Sequence, residues 1–328
     1  MKKQIITKWL ERMPFFNYIY SFYLEIKGRQ RKISLGTDNP DKTFYLIGYD
    51  DNGGGLFWLA NKAAMHIAYA IEHNYIPVID YKNHLTQYTP KEELGKVNIW
   101  EKFFKQPCYY RVEDICKSKN IIINKKSPAP QKRYLMGQES FYGNNEKIKY
   151  YKNIYKKYII PTEEIQSYLE EWKDKLFTNK GKILGILCRG TDYVVRKPKN
   201  HPIQPTAEMV ITEAKKVMKK YDCNFIFIAT EDEDILTKFK NAFKDKLLFL
   251  PQKRYHKDDI SSGEFLAQAK EHDTSRNPTE DAKMYLAAIY LLTKCNCFIG
   301  GRTGGTKAVL LWEDSYEYKH IYNLGLYK

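Results

Sequence analysis

Between Ile183 and Thr306, four short apolar runs alternate with segments of helical pattern. The runs are Ile183 to Cys188, Phe225 to Ala229, Leu247 to Leu250 and Cys297 to Ile299. Helices are expected from Pro205 to about Tyr221, Glu233 to about Phe243 and Thr279 to Lys294, with another starting near Gly300–Thr306. Apolar runs too short for helices, each followed by a helix, predict a parallel sheet covered by helices. In such sheets ligands settle outside the carboxyl ends of the strands. The residues just after each run are therefore the ones to read for chemistry.

The first half opens on the same grammar. Thr43 to Tyr49 reads as a strand, Asp50 to Gly55 as a turn, Leu56 to Asn74 as a helix and Tyr75 to Asp80 as a second strand. Leu59, Ala63, Ile67, Ala70 and Ile71 recur at helical spacing. Residues 82–150, with Pro90, Pro107, Pro128 and Pro130, read as irregular. Thr162 is an N-cap for a helix running to about Phe177, and Thr178 to Gly181 then breaks the chain. The division is therefore residues 1–35, a basic aromatic segment; 40–177, a first Rossmann-like domain; and 178–328, a second.

The 328 residues are ample for two cores, and 43% apolar content argues for a globular chain. Lys+Arg of 54 against Asp+Glu of 39 gives +15, which favours anionic partners or reflects a lysine-rich surface. The charge is not clustered as a nucleic-acid groove requires, so no nucleic acid is expected. Cys108, Cys116, Cys188, Cys223, Cys295 and Cys297 include no C-x-x-C pair, and reduced thiols in a cytosolic protein are the simplest account. No secretory leader and no transmembrane run are expected. Met13 to Ile26 is rich in Phe and Tyr and flanked by basic residues. Residues 1–33 thus suit either peripheral contact with an anionic membrane or a helix packed on the body.

Four strand-end motifs can carry chemistry. Arg189-Gly190-Thr191-Asp192 puts a permanently charged, bidentate guanidinium at the mouth of a buried strand. Gly53-Gly54-Gly55 lets a backbone and a helix N-terminus approach an anion, or simply makes a tight turn. Thr230-Glu231-Asp232 follows the second run; Asp232-x-Asp234 either binds a metal or, as favoured, caps a helix, with Glu231 or Asp232 reaching a ribose. Thr303, Gly304, Gly305 and Thr306 offer hydroxyls and N–H groups to a phosphate or ribose without forming a Walker A loop. His201, in His201-Pro202-Ile203, either binds a substrate hydroxyl or stiffens a proline turn.

In order and type, these motifs resemble those of the GDP-fucose-dependent fucosyltransferases of the GT-B type, over about 43–80 and 182–312. The pattern is nearest to the α1,6- and nodulation-factor group, with protein O-fucosyltransferases further off. Arg189 falls on the first arginine of the R-R-T-D motif, His201-Pro202-Ile203 on H-P-I and Ala229 to Asp232 on A-T-D-D. Four positions depart from the pattern. The second arginine is Gly190, the base-contacting histidine is Leu187, the guanine-binding aspartate is Ala288, and the downstream base falls on Arg196-Lys197. The resemblance implies an α/β, GT-B-like chain of two Rossmann-like domains facing a cleft. It implies inverting, metal-independent transfer, with no cofactor beyond the nucleotide-sugar donor. The acceptor would be a bacterial surface glycan, compatible with a lipid link, and the enzyme cytoplasmic or peripheral on the inner membrane face. Asp51 and Asp192 are the candidate bases. A metal-dependent transferase, a nucleotide or RNA binder and a membrane-recruitment module are the rival readings.

Overall fold

The computed structural model describes residues 30–48, 54–124, 129–259, 266–267, 270, 273, 275–313 and 315–328; the side chains of 139, 192 and 193 are not described. In chain order the first half holds β1 (Arg31–Ile33), β2 (Phe44–Gly48), α1 (Leu56–Glu72), β3 (Ile76–Asp80), α2 (Ile99–Phe103), β4 (Ile121–Asn124), α3 (Gln138–Tyr142), α4 (Asn145–Tyr158) and α5 (Glu163–Phe177). The second half holds β5 (Ile183–Leu187), α6 (Asp192–Arg196), α7 (Ala207–Tyr221), β6 (Phe225–Ala229), α8 (Glu233–Phe243), β7 (Leu247–Leu248), α9 (Pro278–Thr293), β8 (Cys297–Gly301), α10 (Gly304–Trp312) and β9 (Tyr318–Tyr322).

Two sheets form, and they divide between α5 and β5. The first has the order β1-β4-β2-β3, with β2 parallel to both β3 and β4 and β1 antiparallel at the edge. The second has the order β7-β6-β5-β8-β9 and is parallel throughout. β2, β5 and β8 are buried at every residue, which is why each reads as an unbroken apolar run rather than an alternating one. Side-chain oxygens start most of the long helices: Thr162 accepts from the N–H of Ile165, Thr206 from Met209, Asp232 from Ile235 and Asn277 from Thr279.

α1 is buried on nearly every face, from Leu56 to Ala70. It packs on β2 and β3 and, on its other side, on α4 and α10, while α5 packs on α9. One continuous core therefore joins the halves, running from Tyr45 and Phe57 through Tyr155 to Leu286 and Val309. The outer face of the second sheet has its own core with α7 and α8, around Ile186, Val210 and Phe239.

The expected strands and helices of the second half appear, with shifts at their ends. The third run keeps only two residues of strand, and β8 extends through both of its glycines, where Gly301 pairs with Tyr322. Residues 82–150 are more ordered than their composition suggests. They supply β4, which inserts beside β2, and the first turns of α4, whose buried residues, Tyr151, Ile154 and Tyr155, follow. β1 and β9 are edge strands that the apolar pattern does not reveal. Cys188, Cys223, Cys295 and Cys297 are buried free thiols. Among the described residues no helix is long and apolar enough to cross a membrane. Residues 1–29, and with them nearly all of the basic aromatic segment, lie outside the described residues.

Candidate active site

Each sheet reverses its strand order once beside its first parallel strand: between β2 and β4 in the first sheet, between β5 and β8 in the second. Such switch points leave a crevice at the carboxyl ends, because the following connections depart to opposite faces. The glycine turn leaves β2, the arginine turn leaves β5, and the Thr303 turn leaves β8. Both crevices thus receive the motifs that the sequence singles out.

The arginine turn is held from the neighbouring strand. Thr191 adopts φ of +44°, an uncommon conformation for a side-chain-bearing residue. Its N–H donates to Asp232 Oδ2 at 2.8 Å, and its hydroxyl and the Gly190 N–H donate to Glu231 Oε1 at 3.3 and 3.1 Å. A Cβ at Gly190 would lie 2.2 Å from Asp232 Oδ2, so a second arginine has no room there. The Arg189 side chain keeps 31% of its surface exposed, with Nε 3.9 Å from Glu231 Oε1. Asp192 starts the short helix α6; its side chain is outside the described set.

Asp232 is fully buried, and both its oxygens are engaged inward, one on Thr191 and one on the first turn of α8. Asp234 faces the surface, where Oδ1 lies 2.9 Å from His256 Nδ1 and raises the pKa of that imidazole. The two carboxylates thus serve separate local structures, Asp232 capping α8 and Asp234 pairing with His256.

The turn after β8 is a lattice of its own side chains. Thr303 Oγ1 accepts from the Thr306 N–H at 3.1 Å, the two hydroxyls lie 3.0 Å apart, and Thr306 Oγ1 donates to the Gly301 carbonyl at 2.5 Å. Thr306 is fully buried, so its hydroxyl holds the turn rather than facing a ligand. Gln204 Nε2 donates to the Arg302 carbonyl at 3.3 Å, tying this turn to the His201 segment. That segment is strapped to the chain's last residues: the Tyr327 N–H donates to the His201 carbonyl and the Ile203 N–H to the Gly325 carbonyl.

The glycine turn is built differently. Gly54 sits at φ +85°, and a Cβ there would meet the Trp58 ring at 2.7 Å. Gly55 is the N-cap of α1 and supplies no side-chain bond. Lys62, fully buried on α1, donates to the Gly48 carbonyl at 2.8 Å and so fixes the strand end from which the turn departs. Gly53 and Asp51 lie outside the described residues.

Packing joins these turns. A Cβ at Gly304 would be 3.8 Å from the Trp58 N, and Asn61 Nδ2 donates to the Gly304 carbonyl at 3.4 Å. The N-termini of α1 and α10 therefore abut, one from each half. Leu187, two residues before Arg189, lies 3.3 Å from the Cβ position of Gly305. Tyr285 stacks with Tyr88 at 6.4 Å and meets Phe57 edge-on at 5.2 Å; Arg189 is one of the charges acting on the buried Tyr88 hydroxyl, whose pKa burial pushes up. Arginine turn, glycine turn and Thr303 turn thus border one site.

The site is cationic. Two helix N-termini carry partial positive charge, and Arg302 lies over the Tyr142 ring at 5.1 Å. Lys307 is 8% exposed, donates to the Met136 carbonyl at 2.5 Å, and is brought by burial from 10.5 down to about 8. The helix N-termini and Arg189, whose side chain is 31% exposed, are the groups here that an anion could reach. Sequence reading passed over Trp58, Lys62, Tyr88, Tyr285 and Lys307. Only Lys62 left a signal, a lysine inside the apolar face of a helix.

No protein-family profile matches the chain, and no curated protein matches it. Solved structures similar to it include fucosyltransferases. A NodZ alpha-1,6-fucosyltransferase soaked with GDP-fucose is 14% identical, with a TM-score of 0.48, over 83% of this chain and 93% of that one. An Arabidopsis thaliana FUT1 mutant in complex with GDP is 9% identical, with a TM-score of 0.47, over 89% and 72%. POFUT1 in complex with GDP-fucose is 9% identical, with a TM-score of 0.47, over 87% and 99%.

Proposed function

We propose that this chain is a glycosyltransferase that moves fucose from GDP-fucose to a hydroxyl of a glycan acceptor, with inversion and without a metal. The carrying observation is that two switch-point crevices, one per sheet, carry helix N-termini that abut at Gly304 and Trp58, with Leu187, two residues before Arg189, packed against Gly305. The motif order read from the sequence supports the sugar and the nucleotide. The second half, residues 178–328, holds the donor, and the first, 40–177, holds the acceptor.

In this reading Arg189 pairs with the diphosphate and stabilises the charge that grows on it as it leaves. The N–H groups at Gly53, Gly54 and Gly55 and at the Thr303-Gly304-Gly305 turn receive the remaining phosphate oxygens. His201 meets a hydroxyl of the donor. A carboxylate, Asp51 or Asp192, takes the acceptor hydroxyl proton while the acceptor oxygen bonds to the anomeric carbon. The bond from that carbon to the phosphate oxygen breaks with its electron pair, and GDP departs. A surface-glycan acceptor on a lipid carrier places the enzyme in the cytoplasm at the inner membrane face, with residues 1–33 touching the lipid.

The test is binding and slow hydrolysis across a panel of nucleotide sugars without metal, for wild type and Arg189→Ala. GDP-fucose should be preferred, and Arg189→Ala should lower turnover by roughly 100- to 1,000-fold, as removal of a transition-state donor does. Preference for another nucleotide sugar removes fucose from the assignment. Turnover that appears only with Mn²⁺ overturns the metal-independent mechanism.

A further inference from the structure

The acidic pair after β6 is placed as a device for aiming Arg189. Glu231 and Asp232 reach across from the neighbouring strand and take three hydrogen bonds from the turn that carries the arginine: two from the backbone N–H groups of Gly190 and Thr191, and one from the Thr191 hydroxyl. That turn needs holding, because a left-handed threonine costs about 1 kcal/mol or more and persists only where its surroundings fix it. The pair is itself fixed. The Tyr255 N–H donates to the Glu231 carbonyl at 3.0 Å, the Glu233 N–H returns to the Tyr255 carbonyl at 3.1 Å, and the Asp232 N–H donates to Thr230 Oγ1 at 3.2 Å. Gly190 completes the fit, since only a hydrogen clears Asp232.

A ribose contact is the alternative use of the same residues. Asp232 is too deeply buried for it. Glu231 has 21% of its side chain exposed, yet one oxygen already serves Gly190, Thr191 and the flank of Arg189. We infer that Glu231 and Asp232 are positioning residues that fix the turn and direction of Arg189, and that neither binds the donor. The kinetic part of this inference rests on the fucosyl-transfer reading; the structural part does not.

A double-mutant cycle separates the two uses. Glu231→Ala, Glu231→Gln and Asp232→Asn are each made in the wild type and in Arg189→Ala, and GDP affinity and GDP-fucose hydrolysis are measured. Glu231→Ala should lower kcat about 10- to 100-fold through misplacement of Arg189. Glu231→Gln should recover most of that loss, because its amide oxygen still accepts from Gly190 and Thr191. In Arg189→Ala the same change should cost less than about twofold. An equal loss in both backgrounds, carried by GDP affinity, overturns the inference in favour of a ribose contact. Amide exchange at Gly190 and Thr191 is followed in parallel on the free protein. It should accelerate in Glu231→Ala and Asp232→Asn, and unchanged exchange overturns the clamp. If the wild type neither binds nor hydrolyses GDP-fucose, the functional reading falls and the exchange result still decides the clamp.

Discussion

The helices that begin at the site, α1 and α10, start in opposite ways. α10 opens on a closed lattice: Thr303 caps it, Thr306 ties back to Gly301, the Tyr142 hydroxyl donates to the Thr303 carbonyl at 3.0 Å, and a Cβ at Gly305 would strike the Tyr285 oxygen at 2.8 Å. α1 opens on Gly55, which offers no cap and would have nothing within 4 Å of an added Cβ. Both helices carry the same terminal dipole. An N–H that a side chain already serves, as Thr303 serves Thr306, belongs to the scaffold. An N–H left unserved can receive an anion. In the proposed reading the Gly54–Gly55 turn and the Gly304 and Gly305 N–H groups take the ligand, and the Thr303 and Thr306 hydroxyls hold the turn.

The largest effect expected on this contrast concerns the cation under the closed terminus. Burial lowers Lys307 to about 8 from 10.5. Below pH 8 the amine is charged in both folded and unfolded chains, and folding bears the whole desolvation cost. Between pH 8 and 10.5 the folded amine gives up its proton first, so the unfolded chain binds more protons and stability rises with pH. Urea titrations at pH 7 and pH 10 should therefore show wild type gaining up to about 3 kcal/mol relative to Lys307→Met. A constant difference would mean that Lys307 is not held as the closed lattice requires.

Gly55→Asp should give the open terminus the cap it lacks. The backbone there, at φ −87° and ψ 166°, suits a capping residue. The protein should gain about 1 kcal/mol in thermal or urea unfolding, while the new carboxylate weakens GDP binding at least about tenfold, or ~1.4 kcal/mol. Affinity left intact would show that the anion does not use this helix end. Smallest, Thr303→Ala should cost about 1 kcal/mol of stability through the lost cap, and Thr303→Ser should restore it. A loss confined to GDP affinity, with stability untouched, would reverse the roles given to the two termini.

Legibility follows burial. β2, β5, β6 and β8 are short, apolar and set off by turns, so their positions could be read from the chain. So could Thr162 as a cap and the Asp232 first turn as a capping sequence. β1 and β9 are edge strands of small apolar content, and β4, though rich in isoleucine, is only four residues long; their pairing partners lie far away in sequence, as with Phe44 opposite Ile121. α4 buries only three side chains and carries lysines elsewhere, so its amphipathic stripe is narrow.

Within the site, the sequence by itself determined which residues stand at strand ends: Arg189, Gly54 and Gly55, Glu231–Asp232 and Thr303–Thr306. That follows from local periodicity, which the chain carries residue by residue. Tertiary structure alone decided what those residues face. Asp232 turns inward because Gly190 and Thr191 come to lie against it, and Thr306 is enclosed because its own turn folds over it. Trp58 and Lys62 enter because α1 from one half abuts α10 from the other. Contacts between segments far apart in the chain leave no spacing to read, and those contacts separate the open helix end from the closed one.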